Sequence, residues 1–354
     1  RGAGAASPPG DSLSRCWLRR ADWLPRPHAR TLVDIRPAVT APRSRYHAAG
    51  AIVRDGRKSK QWKRAFHTLE RGASAGDPVA RVHLGYCYRT GRGGDWDVRK
   101  AMRLFNLAAR QGLAAAHVEL GRCLEEGVCG GEDLTKAAEH YRAASDQGDL
   151  EGLVALALCL KTGRGVAADP GEAVRLLRQG AASGDAAAQV ELGACLESGT
   201  GVRKNVAEAL RLYRLAAEQH HAPAQRALGV ALLEGRGVAK NAAAAVRSFR
   251  LAAAQDDIEA LSRLGVCLAD GVGVRRNIGE AVDCFRRACN RGTNAEAHHR
   301  LGVLLADGEG LEKDLDTALF YLKAADRYGH EGARVRLGSM EATGEASLGD
   351  WEST

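Results

Sequence analysis

ELGACLESGTGVRKNVAEALRLYRLAAEQ, residues 191–219, decides the fold, because the chain writes the same skeleton repeatedly. Shifted by 36 residues in either direction, it returns as Leu-Gly, Gly-x-Gly, Ala, an aromatic residue or Leu, and a small residue. The Leu column runs Leu84, Leu120, Leu156, Leu192, Leu228, Leu264, Leu301 and Leu337. A fixed period of this size marks a repeat array, in which each unit packs mainly on its neighbours. One residue is inserted near Thr293–Glu296, between the sixth and seventh units.

Each unit reads as two helices. In the first, helix A, a small residue (Ala80, Ala116, Gly152, Ala188, Ala224, Ala260, Ala297, Ala333) stands four before the Leu. A Cys or its equivalent follows three after the Leu, and Tyr88 or a Leu follows four after, making one buried stripe. Gly91, Gly127, Gly163, Gly199, Gly235, Gly271 and Gly308 close it, where a left-handed residue is needed. Helix B is predicted to start at Asp97, Asp133, Asp169, Asn205, Asn241, Asn277 and Asp314, all good N-caps. Glu172, Glu208 and Glu280, three residues on, complete a capping box in three units. Ala101, Ala137, Ala173, Ala209, Ala245, Ala281 and Ala318 come four after the cap. Ala108, Ala144, Gly180, Ala216, Ala252, Ala288 and Ala325 come seven later, small enough for neighbouring backbones to approach closely.

These columns resemble Sel-one-like repeats, relatives of the tetratricopeptide repeat with a slightly longer unit. LGYCYRTGRGG and KAMRLFNLAARQG are the first of seven full copies, over about 79–330. Ala157 replaces the Gly of Leu-Gly in the third unit, and GVCGG replaces Gly-x-Gly in the second. The expected fold is an all-α, right-handed α-solenoid. Its expected organisation is a basic arm at 1–58, a half repeat at 59–77, seven repeats at 78–330, a terminal helix at 331–342 and a tail at 345–354.

The arm differs in kind. Residues 1–60 hold 13 Lys/Arg and four acids, whereas the remaining residues hold 38 and 39. Six of the nine prolines lie in it. DSLSRCWLRRADWL, 11–24, can form a short amphipathic helix over 12–24, ended by Pro25, with Leu13, Cys16, Trp17, Ala21 and Leu24 on one side. Trp17, Arg19, Arg20 and Trp23 are candidate contacts with a partner groove or a membrane surface. The chain starts at Arg1 without Met, which reads as a preceding segment removed or left out. Arg-rich, acid-poor composition there fits an import signal or its remnant and points to mitochondria, with the cytoplasm as the alternative.

The nine cysteines do not form a disulfide framework. Cys87, Cys123, Cys159, Cys195 and Cys267 recur once per repeat, and equivalent helices lie about 8–10 Å apart, beyond disulfide reach. The longest uninterrupted apolar run, LVALALCL at 153–160, is far short of a membrane span. GTGV, GRGV and GVGV lack the preceding strand and the third glycine of a phosphate loop, and recur as inter-helix turns. His220–His221 and His298–His299 lack helical ligand spacing and read as surface turn residues. Glu125, Glu126, Asp270 and Asp307 read as solvated acids at helix ends, and no constellation suggests catalysis or a cofactor. A near-neutral array argues against tracking phosphates with the repeats.

The expected function is a non-catalytic scaffold whose A helices line a concave wall. Candidate contacts are the column before each Leu (His83, Glu119, Ala155, Glu191, Ala227, Arg263, Arg300) and the column two after it (Tyr86, Arg122, Leu158, Ala194, Val230, Val266, Val303). The family resemblance implies adaptor and assembly roles. They include endoplasmic-reticulum quality control, bacterial signalling and cytochrome-oxidase assembly. The expected setting is an accessory subunit of a large mitochondrial, favoured respiratory, complex. The alternatives are a soluble adaptor recruiting client proteins and a secreted bacterial repeat protein with hydrolase-like activity. Some secreted relatives bridge the helices of each repeat with paired cysteines, unlike the single cysteine of most repeats here.

Overall fold

In the computed structural model of the protein, the residues described are 49, 60–92, 96–128 and 130–345. The expected helix at 12–24, with Trp17, Arg19, Arg20 and Trp23, lies outside them. Among the described residues there are α-helices and no strands. A half repeat, α1 (Lys60–Ser74), precedes the first A/B pair, α2 (Pro78–Thr90) and α3 (Val98–Ala109). The pairs continue as α4 (Ala114–Glu125) with α5 (Leu134–Asp146), α6 (Leu150–Thr162) with α7 (Pro170–Ala182), and α8 (Ala186–Ser198) with α9 (Val206–Glu218). Next come α10 (Ala222–Glu234), α11 (Ala242–Ala253), α12 (Ile258–Asp270) and α13 (Ile278–Arg291). Last among the described residues are α14 (Ala295–Asp307), α15 (Leu315–Arg327) and α16 (Glu331–Ala342). The helices fall into two compact units, one ending at Lys240 and one beginning at Asn241.

All seven Asp/Asn residues expected to start B helices do so. In each, a side-chain oxygen accepts from the backbone N–H three residues on, as Asp169 does from Glu172 at 2.9 Å. The capping boxes, however, are not closed, because the amide that the Glu would take is already used. The N–H groups of Asp169, Asn205 and Asn277 donate to the carbonyls of Leu160, Leu196 and Leu268, nine residues back in helix A. Glu172 turns instead to Arg175, Glu208 to the Asn205 side chain and Glu280 to Arg250. The same back-bond from B cap to A terminus recurs at Asp97, Asp133 and Asp314, so in these six pairs it is the device that folds the two helices into a hairpin. Helix A ends in a left-handed glycine such as Gly199 (φ 83°), as expected; in α4 the turn is one residue longer, with Glu126 helical before Gly127.

The Leu-Gly glycine has a spatial reason. A Cβ added to Gly85, Gly121, Gly193 or Gly265 would stand 2.5–2.6 Å from a ring atom of Phe105, Tyr141, Tyr213 or Phe285, respectively, on helix B of the same repeat. At Gly302 it would meet Leu322 at 2.7 Å. In these five repeats the bulky B side chain therefore rests on bare helix A backbone. Where the third repeat has Ala157, the B residue is Leu177 and not a ring, and both are buried in one cluster. The two small B columns flank this contact and are buried without exception. The second glycine of Gly-x-Gly serves stacking between repeats: a side chain at Gly201 would run into the backbone of Pro170, the first residue of the preceding B helix. The inserted residue is taken up at one turn, where α13 runs to 14 residues and Asn294 caps α14.

The described cysteines are free, and those of the repeat column are buried. No helix of the described residues is long and apolar enough to cross a membrane.

Two substitutions separate seat geometry from helix propensity. Gly121→Ala should destabilise the protein by about 1–2 kcal/mol in denaturant unfolding, because overpacking against Tyr141 outweighs the propensity gain. Gly338→Ala, with nothing within 4 Å, should stabilise by about 0.5–1 kcal/mol.

Candidate functional site

The two candidate columns share one face of the A helices, and the structure sorts them into three kinds. His83 and Glu119 are buried, so neither can meet a partner directly. Glu119 was expected on the surface, but its carboxylate is wedged between Arg89 (3.3 Å) and Arg122 (3.5 Å). The other charged candidates are paired across or along helices. Arg122 reaches Glu151 of α6, Lys161 reaches Glu191 of α8 at 2.7 Å, and Arg89 also reaches Glu126, the C-cap of α4, at 3.2 Å. Within the unit ending at Lys240, α2, α4, α6 and α8 thus carry a rail of ion pairs, each joining one A helix to the next. Tyr86 lies at its start with the Arg89 and Arg92 guanidinium groups 5.5 and 5.9 Å from its ring centre. In the other unit Arg263 pairs with Glu259, and Arg300 with Glu296 and, at 3.4 Å, with Asp270.

Beside the rail runs the third kind. Ala155, Leu158, Ala194, Ala227 and Val230 are half-buried, as are Val266 and Val303 in the second unit. A half-buried apolar strip beside paired charges offers burial to a ligand at low desolvation cost, since the charges keep their partners. Arg89 shows the strength of that pairing. Burial opposes its charge, yet Glu119 and Glu126 raise its pKa above the usual arginine value.

The acids at the A-helix ends are not merely solvated, as the sequence suggested. Glu125 accepts a hydrogen bond from the Tyr141 hydroxyl at 2.7 Å and pairs with Arg164 at 2.9 Å. Glu197 repeats the arrangement with Tyr213 (3.0 Å) and Arg236 (2.9 Å). Glu126, Asp270 and Asp307 pair with Arg89, Arg300 and Arg336. A signal for the tyrosine device was present in the chain. The B-helix ring is Tyr only in the repeats with Glu five after the Leu; Phe or Leu stands opposite Arg89, Lys161, Leu233, Ala269 and Ala306. A buried phenol needs an acceptor, and the chain supplies one only where the hydroxyl exists.

The histidine pairs divide. His220 occupies an exposed left-handed turn (φ 60°), as expected, and His221 precedes α10. His298 and His299 lie inside α14, not in a turn. His298 is buried against Tyr328, with ring centres 5.2 Å apart, and donates to the Asn294 carbonyl. His299 stacks on His330 at 4.1 Å, and Glu296 approaches both, the one trio among the described residues close enough to suggest a metal. Its donors are already committed. His330 Nδ1 accepts the Ala333 N–H as the cap of α16, so Nε2 carries the proton and donates to Glu296 at 2.9 Å. The other Glu296 oxygen accepts from Arg300 at 2.7 Å. Burial alone would raise the Glu296 carboxyl; Arg300 and His330 hold it below its ordinary value. A dication would face the guanidinium and break the cap, so the trio is a clamp between α14 and α16.

An open depression beside α15, lined by Arg286, Leu305, Leu311, Lys313 and Glu345, has no nucleophile–base pair in it. What the helices define, then, is a repeat protein of the α-solenoid class, in which function resides on stacked helix faces. The chain belongs to the Sel1 repeat family: its model matches residues 78–113, 114–149, 150–185, 186–221, 222–257, 258–293 and 295–325. Proteins of this family are generally interaction scaffolds for other proteins. The chain is similar in structure to a Sel1 repeat protein from Oxalobacter formigenes, at 27% identity and TM-score 0.57, over 83% of this chain and 85% of that one. It is similar also to c5321, a protective antigen of uropathogenic Escherichia coli with an SLR fold, at 27% identity and TM-score 0.56 over 78% of this chain. It spans 59% of that protein's length. Yeast Tom70 shares the fold alone, at 11% identity and TM-score 0.52, over 94% of this chain and 72% of Tom70. No curated protein matches the chain in sequence.

A double-mutant cycle on Tyr213→Phe and Glu197→Gln, read by denaturant unfolding, should return a coupling of about 1 kcal/mol. A coupling of zero would mean that the hydroxyl is solvated.

Proposed function

We propose that the chain is a non-catalytic scaffold that holds partner proteins on the A-helix face carrying the ion-pair rail and the strip Ala155, Leu158, Ala194, Ala227 and Val230. The observation that supports this reading is the pairing itself. Each charge near the strip has a partner on its own or an adjacent A helix, so the face is fixed before any ligand arrives and loses little freedom on binding. The arrangement favours an extended or helical polypeptide with apolar side chains along one edge. A small substrate would need an enclosed pocket and converging reactive groups.

The finer setting we propose is an accessory or assembly subunit of a mitochondrial complex, with the respiratory chain favoured. Its support is the Arg-rich, acid-poor composition of residues 1–60 and the single-cysteine repeats of the array, whose described cysteines are unbridged. In this reading the arm, through Trp17, Arg19, Arg20 and Trp23, reaches a second subunit or a membrane surface.

The test is native-gel migration of the tagged protein from solubilised mitochondria, followed by the same experiment with Leu158→Asp and Val230→Asp. The wild type should migrate with a large complex and the double variant should be released while remaining folded. A wild-type protein migrating alone as a monomer contradicts the complex-subunit setting. A double variant that stays bound contradicts the assigned face.

A further inference from the structure

The second repeat departs from the others at one point of contact between its two helices. That point joins the helix A residue three before the column Leu to the helix B residue seven after the cap. In the third repeat the two are Leu153 and Leu176, buried in one cluster. In the sixth they are Leu261 and Cys284, also buried. Packing here can therefore be wholly apolar. In the second repeat both positions are histidine, His117 on α4 and His140 on α5, and no other repeat has two.

The two imidazoles meet edge to edge. Nδ1 of His117 stands 3.0 Å from Nδ1 of His140, with ring centres 5.3 Å apart and planes inclined at 40°. Both side chains are half-buried, and burial lowers both pKa values from the ordinary histidine value. The pair is therefore neutral near neutral pH, with one Nδ1 donating its proton to the other. Neutral imidazole nitrogens are also the commonest donors to Zn2+, Cu2+ and Ni2+. A cation about 2.0–2.1 Å from each of two nitrogens, at an angle of about 90–110°, holds them about 2.8–3.4 Å apart. The observed separation falls within that bite. Chelation requires the donating ring to move its proton from Nδ1 to Nε2 through solvent, and each ring to turn until the lone pairs converge. No helix has to move and no net proton is lost. The charged side chain acting on the pair is an acid, Glu139, whereas the Glu296 trio faces the Arg300 guanidinium.

We propose that His117 and His140 form a two-histidine site for a divalent transition-metal cation of the Zn2+ class, with water completing the coordination. Bound there, the ion pins α4 to α5 inside the second repeat. The site uses neither the ion-pair rail nor the apolar strip, so its failure leaves the scaffold reading untouched.

The probe is Zn2+ added to the chelator-treated full chain. Zinc should raise the melting temperature, and calorimetric titration should find one more equivalent bound by the wild type than by the His117→Leu/His140→Leu double variant. That variant restores the Leu–Leu pair of the third repeat, so it should melt no lower than the zinc-free wild type. Imidazole NMR locates the ion in the unaltered protein: the signals of His117 and His140 should shift on zinc saturation, while that of His298, buried against Tyr328, stays in place. A wild type that binds no zinc, a double variant that binds as much, or shifts confined to His299 and His330 each overturns the proposal.

Discussion

A bulky side chain of helix B resting on the bare backbone of helix A is the contact on which the rest of this structure depends. With glycine in the Leu-Gly position, the two backbones come close enough for Phe105, Tyr141, Tyr213 and Phe285 to lie flat on the opposing helix. That distance in turn requires the Ala and Gly columns on either side, since a larger residue would wedge the pair apart. In six pairs the hydrogen bond from the B cap amide to the end of helix A then fixes the angle of the hairpin. Low aromatic content follows directly: a seat takes a single ring, and small residues fill the remainder.

Stacking adds a second layer of constraint. The loop glycine of one repeat packs on the first residue of the preceding B helix, and ion pairs such as Lys161–Glu191 join one A helix to the next. Two tyrosines extend this linkage through Glu125 and Glu197 to Arg164 and Arg236 of the following loop. Individually the exposed pairs contribute little. Their weight lies in orientation, because they hold long side chains off the apolar strip and give it a defined edge. A face built in this way suits recognition of another polypeptide, as in the Sel1 family to which the chain belongs.

Much of the fold was legible because the repeat displays each requirement many times. The seven caps, the small columns and the cysteine positions each follow from one-residue chemistry repeated at fixed spacing. What escaped the sequence depends on relations between residues. The capping boxes looked complete at Glu172, Glu208 and Glu280, yet the cap amide was bound to a carbonyl nine residues earlier. Glu119 looked like a surface contact because it stands in the column before the repeat Leu, but two arginines, one from the preceding A helix, draw it inside. His298 and His299 read as surface turn residues because adjacent histidines lack ligand spacing, whereas both lie inside α14. The Tyr–Glu covariation, by contrast, was readable within the chain and only needed the two columns to be compared.

The direct test of the seat as the organising contact is amide hydrogen exchange across the full chain. Helices α14 and α16 have 13 and 12 residues and both bury the small residue and the column Leu (Ala297 and Leu301, Ala333 and Leu337), but only α14 has its glycine covered. Exchange over residues 331–342 should be at least about tenfold faster than over residues 295–307. Equal protection of the two helices would show that A helices are held without the B-helix seat, and the account would fail.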